Sequence, residues 1–491
     1  MPSLNSYLSR IRSVICNVSL VSTPAAPTSS PPTSLTPRRA TMVMGNQSAD
    51  LDSFISAVVF AYFYNSYGRK PAASTGGIYV PVLNLPHVKA EDLWRLRPEF
   101  GVAVRLATAD PGAGPGSGPC REVKEEAESE AESQGRNQTA LRELVTVADI
   151  KDHQKSILYA ALAPTGAVVD GKAYGDRAKQ ELVLVDHNVP SMSGLSDEDV
   201  RQRFRVVGCV DHHIDEGFVA SDAKPRIIRT GIGSCTSLVV KHLRDEGLWP
   251  LPGAAGVTDK DVREVKEMAK LALAPILMDT VNLTAAGDKC SDTDRAMVAF
   301  LEAYITGGGV GEDESRWDRE AFFHTLWKTK SNSLELLTMQ EILDRDYKEW
   351  IEQTRSGTNV RIGISSLVKP VSWLIKHAEG VGKLLNEIER FANAERELGV
   401  YGMLMSTAEG KKEDVVIAFK EEATDAIKVF EESAQELKLT AWEDETFIDA
   451  MNEKLRNVAD GRPAWKIWWM GDTSKSRKQV GPLLREAVKS I

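Results

Sequence analysis

Short apolar runs alternate with longer runs of helical length along most of the chain. Thr41-Met-Val-Met-Gly45 reads as a buried strand, and after Asp52 the run Ser53–Tyr67 is apolar over helical length. Ile78–Leu85 reads as another strand. Glu181-Leu-Val-Leu-Val185 and Arg205-Val-Val-Gly-Cys-Val210 are short β-rich runs of the kind buried in parallel sheets. Ser234–Arg244 and Lys260–Met278 read as helices. Strands thus alternate with helices from Thr41 to about Leu301, which predicts a doubly wound α/β domain with a parallel sheet. The pattern then changes. Leu334–Trp350 reads as helical, while Asn359–Leu367, Val400–Met405, Val415–Phe419 and the aromatic run Ala464–Met470 are strand-like. Pro482–Ser490 reads as a closing helix. These elements predict a second, α+β domain over residues 330–491. The first domain spans 41–315, and Gly307-Gly-Gly309 with the acidic Gly311-Glu-Asp-Glu-Ser315 marks the connection. No internal repeat is visible.

Two segments break this order. Residues 108–140 are low-complexity, first Pro- and Gly-rich and then Glu-rich, and read as a surface insertion. Residues 1–40 form a leader with Arg10, Arg12, Arg38 and Arg39, and the first acidic residue of the chain is Asp50. An acid-free, Arg- and Ser-bearing leader has the composition of a mitochondrial-type transit peptide. A disordered extension fits as well, with Met42 or Met44 opening the compact part and the protein in the cytoplasm. The rest of the 491-residue chain is 42% hydrophobic and 26% charged, which excludes a wholly disordered or fibrous protein. No run of about 18 apolar residues occurs, so no membrane-spanning helix is expected. A net charge of -10 speaks against nucleic acid as a partner over a broad face. It does not exclude an anionic substrate, since a bound metal reverses the local field. Five widely spaced cysteines without a CxxC pair fit neither a disulfide scaffold nor a zinc ribbon.

The chemistry gathers where apolar elements end. Met42–Gly45 leads into Asn46-Gln-Ser-Ala-Asp50-Leu-Asp52-Ser53, Leu182–Val185 into Asp186-His187-Asn188, Val206–Val210 into Asp211-His212-His213, and Leu271–Met278 into Asp279-Thr280. Ligands of open α/β sheets bind at the carboxyl ends of the strands, so these groups can share one crevice. Carboxylates that converge there need a counter-charge. Divalent cations supply it, and Asp with His suits Mg²⁺ or Mn²⁺ better than soft metals. Adjacent His212 and His213 point apart, so one can ligate metal while the other faces substrate. A lone acidic residue at a strand end is more often a turn former or a helix cap. Gly231-Ile-Gly-Ser234 before a helix reads equally as a phosphate-binding turn and as a plain helix start.

The ordered set Asn46…Asp50-Leu-Asp52-Ser53, Asp186-His187-Asn188, Asp211-His212-His213 and Asp279 resembles the four motifs of the DHH phosphoesterase superfamily. Asp346-Tyr-Lys348, read as lying on a helix, and Ser476-Arg477-Lys478 resemble the opening and closing motifs of its DHHA2 subgroup. That subgroup holds manganese-dependent inorganic pyrophosphatases, prune proteins and fungal exopolyphosphatases. The resemblance implies a DHH domain followed by a DHHA2 domain, with the active site in the cleft between them. It implies two divalent metal ions, Mg²⁺ or Mn²⁺ with Co²⁺ as an alternative, held by Asp50, Asp52, Asp186, His212 and Asp279. His213 and Asn46 would be catalytic, and His213, Lys348, Arg477 and Lys478 would bind substrate. The implied reaction is hydrolysis of terminal phosphate from inorganic polyphosphate by a metal-bridged hydroxide. Pyrophosphate, a cyclic nucleotide and a non-enzymatic prune-like scaffold are the competing readings. At Asn46 the pyrophosphatases carry a histidine ligand. The form found in this chain resembles the exopolyphosphatase and prune type, and the harder amide oxygen leans toward Mg²⁺.

Overall fold

The computed structural model describes residues 4–16, 39–68, 77–109, 141–164, 167–169, 172–173, 177–192, 195–250, 259–306, 317–335, 337–406, 411–419, 423–443, 445–455 and 465–491. It divides into two units, Met1–Lys330 and Ser331–Ile491. The insertion expected at 108–140 lies, from residue 110 on, outside the described residues, as do Gly307–Gly309 and 311–315.

The first unit is built on a five-stranded sheet ordered Ile78–Val82, Ala40–Met44, Gln180–Val185, Phe204–Asp211, Arg226–Ile228. Every pairing in it is parallel. The doubly wound fold class read from the alternation is the one observed. The chain steps outward from Ala40–Met44 to Ile78–Val82, then returns to Gln180–Val185 on the other side. The strand order therefore reverses beside Ala40–Met44, which is where such sheets bind ligands. The loops that carry Asn46 and Asp186 leave the two strands at that switch point. Met42, Val43, Met44 and Leu182–Val185 are buried, as parallel strands covered on both faces require. The helix Leu51–Tyr67 is buried over its whole first thirteen residues, because it is apolar all round.

The leader differs from expectation over part of its length. Leu4–Cys16 is a helix whose Leu4, Tyr7, Leu8, Ile11, Ile15 and Cys16 are buried in the first unit's core. Arg12 holds both oxygens of buried Asp149 at 3.1 Å and donates to the Leu144 carbonyl. The Leu4 N–H donates to Glu267 Oε2 at 2.8 Å, and the Tyr7 ring meets Tyr62 edge-on. The i, i+3, i+4, i+7 spacing of Leu4, Tyr7, Leu8 and Ile11 carries the helix signal. Compositional bias hides it, since Ser, Thr and Pro dominate the residues that follow.

The second unit is built on a six-stranded sheet ordered Leu439–Ala441, Trp465–Met470, Lys412–Ala418, Val400–Ser406, Asn359–Leu367, Tyr347–Gln353. Its pairings are antiparallel except that of Val400–Ser406 with Asn359–Leu367. One sequence expectation fails. Residues 334–350 are not a single helix. A short helix, Met339–Asp344, ends before the strand Tyr347–Gln353. Trp350 and Glu352 of that strand pack under the helix Arg477–Lys489, so period-2 burial overrides the helical run of leucines before it. The closing helix starts earlier than expected, because Ser476 and Gln479 form a reciprocal capping box and Pro482 lies inside the helix.

Two outcomes test the docked N-terminal helix. Arg12→Ala should lower the stability of the first unit by about 2 kcal/mol, the scale of a charge-assisted hydrogen bond left unmade, as read from urea unfolding. Lys89→Ala should leave it unchanged, because Lys89 meets Asp152 in an exposed pair. Burial pushes the Glu267 carboxyl up to about 7. The folded state therefore holds a proton that the unfolded chain releases at the ordinary carboxylate pKa. Stability should fall as pH rises through that window toward 7 and level off above it. Glu267→Gln should flatten the profile, and an unchanged slope would refute the assignment.

Candidate metal centre

The first motif is a tightly packed turn. A side chain on Gly45 would place its Cβ 2.4 Å from Ser53 Cβ, so glycine is what lets the strand end approach the helix start. Ser53 Oγ accepts the Asn46 N–H at 3.1 Å and donates to Asp186 Oδ2 at 2.7 Å. Asn46 Nδ2 donates to the same Asp186 oxygen at 2.7 Å. Asn46 Oδ1 accepts from Ser48 N and Ser48 Oγ, which fixes the orientation of the amide. Asn46 thus orients Asp186, and its own oxygen is already occupied by Ser48. Asp186 stands at φ 60° and Ala49 at φ 42°, left-handed positions that side chains rarely adopt.

The other oxygen of Asp186 faces the histidines. His212 Nε2 lies 3.1 Å from Asp186 Oδ1 and 3.9 Å from Asp52 Oδ2. Its other nitrogen, Nδ1, is 3.0 Å from the Ile232 carbonyl, which accepts a proton from it. That bond leaves Nε2 as the nitrogen that faces the two carboxylates, and a backbone carbonyl behind Nδ1 is the support a metal-ligating histidine needs. Asp186, His212 and His213 each offer a ligand atom within 4.8 Å of the others.

Asp52 does two things. Its Oδ1 accepts Ser234 Oγ, Thr236 N and Thr236 Oγ at 2.7–2.9 Å, and its Oδ2 accepts Cys235 N at 2.6 Å. It therefore closes the N-terminus of the helix Cys235–Asp245, with Oδ2 also turned toward His212. The Gly231–Ser234 turn is resolved by the same contacts. The Cys235 and Thr236 N–H groups go to Asp52, and those of Gly233 and Ser234 go to Asp294. Its donors serve two carboxylates and not a phosphate.

Asp211 is buried and accepts His213 Nδ1 at 2.7 Å and Asn188 Nδ2 at 2.6 Å. Burial pushes its carboxyl up, but the His213 charge and hydrogen bond outweigh this and hold it below the ordinary value. Asn188 also donates to the Ile214 carbonyl and accepts from Glu216 N, so it pins the loop behind His213. Asp50 caps the helix Leu51–Tyr67 through Ser53 N. Asp279 ends the helix Asp259–Asp279 and feels the charges of Asp52, Asp50 and Asp186. Burial, then Asp52, push its carboxyl well up, and Lys330 partly offsets them. Asp52 is raised likewise, by burial and then by Asp186. The three residues after Thr280, namely Val281, Asn282 and Leu283, all have positive φ. Such strain persists only where the surroundings hold it.

These residues fit a divalent cation. Buried carboxylates raise one another's pKa, and a histidine ring nitrogen faces two of them. All are oxygen or imidazole donors of the kind hard and borderline divalent ions take. Of the sequence candidates, the structure groups Asn46, Asp52, Asp186, His212 and His213 directly, with Asp50 and Asp279 within electrostatic reach. Sequence reasoning assigned no role to Ser48, Ser53, Thr236 or Lys330. Ser53 was visible in the motif, whereas Thr236 and Lys330 carry no local signal.

In the second unit Arg477 donates from Nη1 to the Asp346 carbonyl and from Nη2 to Asp346 Oδ1, both at 2.6 Å. The pair joins the two motifs that lie 131 residues apart in sequence. Lys348 lies two residues beyond Asp346, at the start of a strand and not on a helix. Lys478 is exposed in the first turn of the helix Arg477–Lys489.

The described “DHH family, N-terminal domain” matches residues 40–276, and the “DHHA2 domain” matches residues 324–487. A Schizosaccharomyces pombe protein named “Putative exopolyphosphatase” is 26% identical over 490 residues, covering 98% of this chain and 96% of that protein. Among solved structures, a “putative family II inorganic pyrophosphatase” of Methanococcus jannaschii covers 91% of this chain and 99% of its own, with TM-score 0.46 and 17% identity. An exopolyphosphatase-related protein from Bacteroides fragilis covers 92% of this chain and 91% of its own, with TM-score 0.34 and 11% identity.

Removing a donor from Asp186 should loosen the centre. Asn46→Ala and Ser53→Ala each lose a 2.7 Å bond to Asp186 Oδ2. A hydrogen bond to a charged group contributes about 1.5–3 kcal/mol, which is roughly tenfold or more in affinity. Calorimetric titration with Mn²⁺ should show that weakening in both variants. Wild-type affinity in either would remove that residue from the centre.

Proposed function

Because the chain belongs to the DHH family and carries a DHHA2 domain, we propose that it is a metal-dependent exopolyphosphatase. It would release terminal orthophosphate from inorganic polyphosphate. The observation that carries the proposal is the grouping of His212 Nε2 with the buried carboxylates of Asp186 and Asp52. The named relative, alike over nearly the full length of both chains, supports the choice of substrate.

Asp50, Asp52, Asp186, His212 and Asp279 are assigned to hold divalent cations. Such ions neutralise phosphoryl oxygens and bring the ionisation of water toward neutral pH. The chain's own residues supply the rest. Asn46 and Ser53 hold Asp186 in one orientation, and the Ile232 carbonyl fixes the ring of His212. Asp211 takes the proton side of His213 at Nδ1 and so turns Nε2 away from itself. His213 Nε2 is thereby placed to hold or pass a proton at a phosphate oxygen. Lys348, Arg477 and Lys478 are assigned to the phosphates of the substrate. Guanidinium suits a bidentate contact and ammonium acts as a point charge. Asn46 stands where an imidazole ligand would bring a softer donor, which supports Mg²⁺ alongside Mn²⁺.

A single experiment tests the substrate. Purified protein with Mg²⁺ or Mn²⁺ is offered long polyphosphate, tripolyphosphate, pyrophosphate and cyclic AMP, and the products are resolved on a gel. Orthophosphate from chain ends is expected. Hydrolysis confined to pyrophosphate or to the nucleotide, or no turnover at all, would overturn the reading. Asp186→Ala and Asp279→Ala should abolish turnover. Arg477→Ala should lower kcat/KM by about 2–3 kcal/mol in transition-state terms while Mn²⁺ affinity stays at the wild-type value. Unaltered kinetics in Arg477→Ala would return that residue to a structural pair with Asp346.

A further inference from the structure

We propose that Asp294 is a positioning residue that sets the divalent-cation affinity of the centre by sharing one helix N-terminus with Asp52. The proposal rests on the reading of Asp52 and Asp186 as cation ligands. Asp294 lies in the first turn of the helix Asp292–Thr306, outside every motif described above, and is fully buried. Its Oδ2 accepts Gly233 N at 2.9 Å, and its Oδ1 accepts Ser234 N at 3.3 Å and Ser237 Oγ at 2.6 Å. Asp52 takes the next donors along the same chain, Cys235 N and Thr236 N. Ser234 serves both carboxylates, giving its N–H to Asp294 and its O–H to Asp52. Neither carboxylate can shift without moving Ser234 against the other.

Three further contacts make the shared cap a mechanical link to the centre. Asp294 is itself fixed, since Ser291 N and Ser291 Oγ both donate to its Oδ2 at 2.7 Å. A Cβ on Gly233 would lie 2.4 Å from the Lys289 carbonyl and 2.7 Å from Thr280 Cγ2, so the turn held by Asp294 is pressed against the residue after Asp279. The Asp186 N–H donates to Cys235 Sγ at 3.2 Å, and that thiol donates to the Val210 carbonyl. Asp294 thereby anchors a turn that touches the segments of Asp52, Asp186 and Asp279. A buried carboxylate with five donors, placed behind three candidate ligands, is more than a helix cap needs.

A cap and a positioning residue differ in what their loss does to the folded protein. The test is calorimetric Mn²⁺ binding by the full chain, at a temperature where circular dichroism shows each variant folded. Asp294→Asn keeps the shape but removes the acceptor capacity of one oxygen, and should weaken Mn²⁺ binding at least tenfold. Ser237→Ala removes a single bond to Asp294 and should weaken it roughly fivefold. Asp292→Asn removes an exposed charge from the same helical turn and should leave affinity unchanged. A lower melting temperature with wild-type Mn²⁺ affinity in Asp294→Asn would overturn the proposal. If Asp294→Asn does not fold, wild-type affinity in Ser237→Ala overturns it by the same comparison. A wild-type chain that binds no Mn²⁺ would instead remove the metal centre, and this proposal with it.

Discussion

The first unit is organised around buried carboxylates whose described partners are mostly backbone, hydroxyl and amide donors. Asp52, Asp186, Asp211 and Asp294 are all under 5% exposed. Ionised carboxylates in such surroundings are stable only if their oxygens are filled by donors or by opposite charge. The chain fills them mainly with neutral donors. Asp294 takes backbone and hydroxyl groups, and Asp211 takes Asn188 and His213. Asp52 takes the start of a helix, where the macrodipole favours negative charge. Asp52 and Asp279 are still pushed upward, so the donors do not suffice at these two. On the proposed reading, a divalent cation would complete the balance at these two.

That balance explains why the backbone near the centre departs from relaxed geometry. Asp186 and Ala49 at positive φ, and the left-handed run Val281–Leu283, lie beside the candidate ligands. A non-glycine residue there costs of order 1–3 kcal/mol and persists where its surroundings leave no alternative. Asp186 shows what leaves none. Its N–H is held by the Val210 carbonyl and Cys235, and its carboxylate by Asn46 and Ser53. Strain at the backbone and saturation at the carboxylate are two sides of one arrangement, which aims Oδ1 at His212.

The alternation of apolar runs made the parallel sheet legible, because strands covered on both faces must be apolar throughout. The positions of the candidate site were legible for a related reason. In such a sheet the strand ends are the crevice, so Asp186 and Asp211 announce themselves by where their strands stop. What stayed hidden depends on contacts distant in sequence. Asp294 meets Gly233 across 61 residues and Asp52 meets Thr236 across 184. No local pattern encodes that two carboxylates share one helix start. The strand Tyr347–Gln353 was misread because the leucines before it continue a helical period, whereas its own burial is decided by the helix Arg477–Lys489 packed over it. The helix Leu4–Cys16 was masked by the Ser- and Pro-rich sequence behind it, although its own spacing is regular.

In the second unit, too, a charged side chain is held in place by its neighbours. Arg477 is held by Asp346 through two bonds, which use two of its five N–H groups and fix the plane of the guanidinium. A free arginine loses rotamer entropy on binding a phosphate, whereas one already held loses less. Lys348 follows Asp346 by two residues, and in extended backbone that spacing places both on one face of the strand. Farther along that face Trp350 lies beneath Gly481 and Arg485, and Glu352 pairs with Arg485 at 2.5 Å. The helix Arg477–Lys489 is thus registered on the strand by a charged pair at each end. Asp346 reduces the net positive charge offered to an anion but fixes where that charge stands. In an acidic chain, a few cations held in one orientation can serve an anion where a broad basic surface is lacking. The carboxylates of the first unit are likewise held in place, Asp186 by Asn46 and Ser53 and Asp294 by backbone and hydroxyl donors.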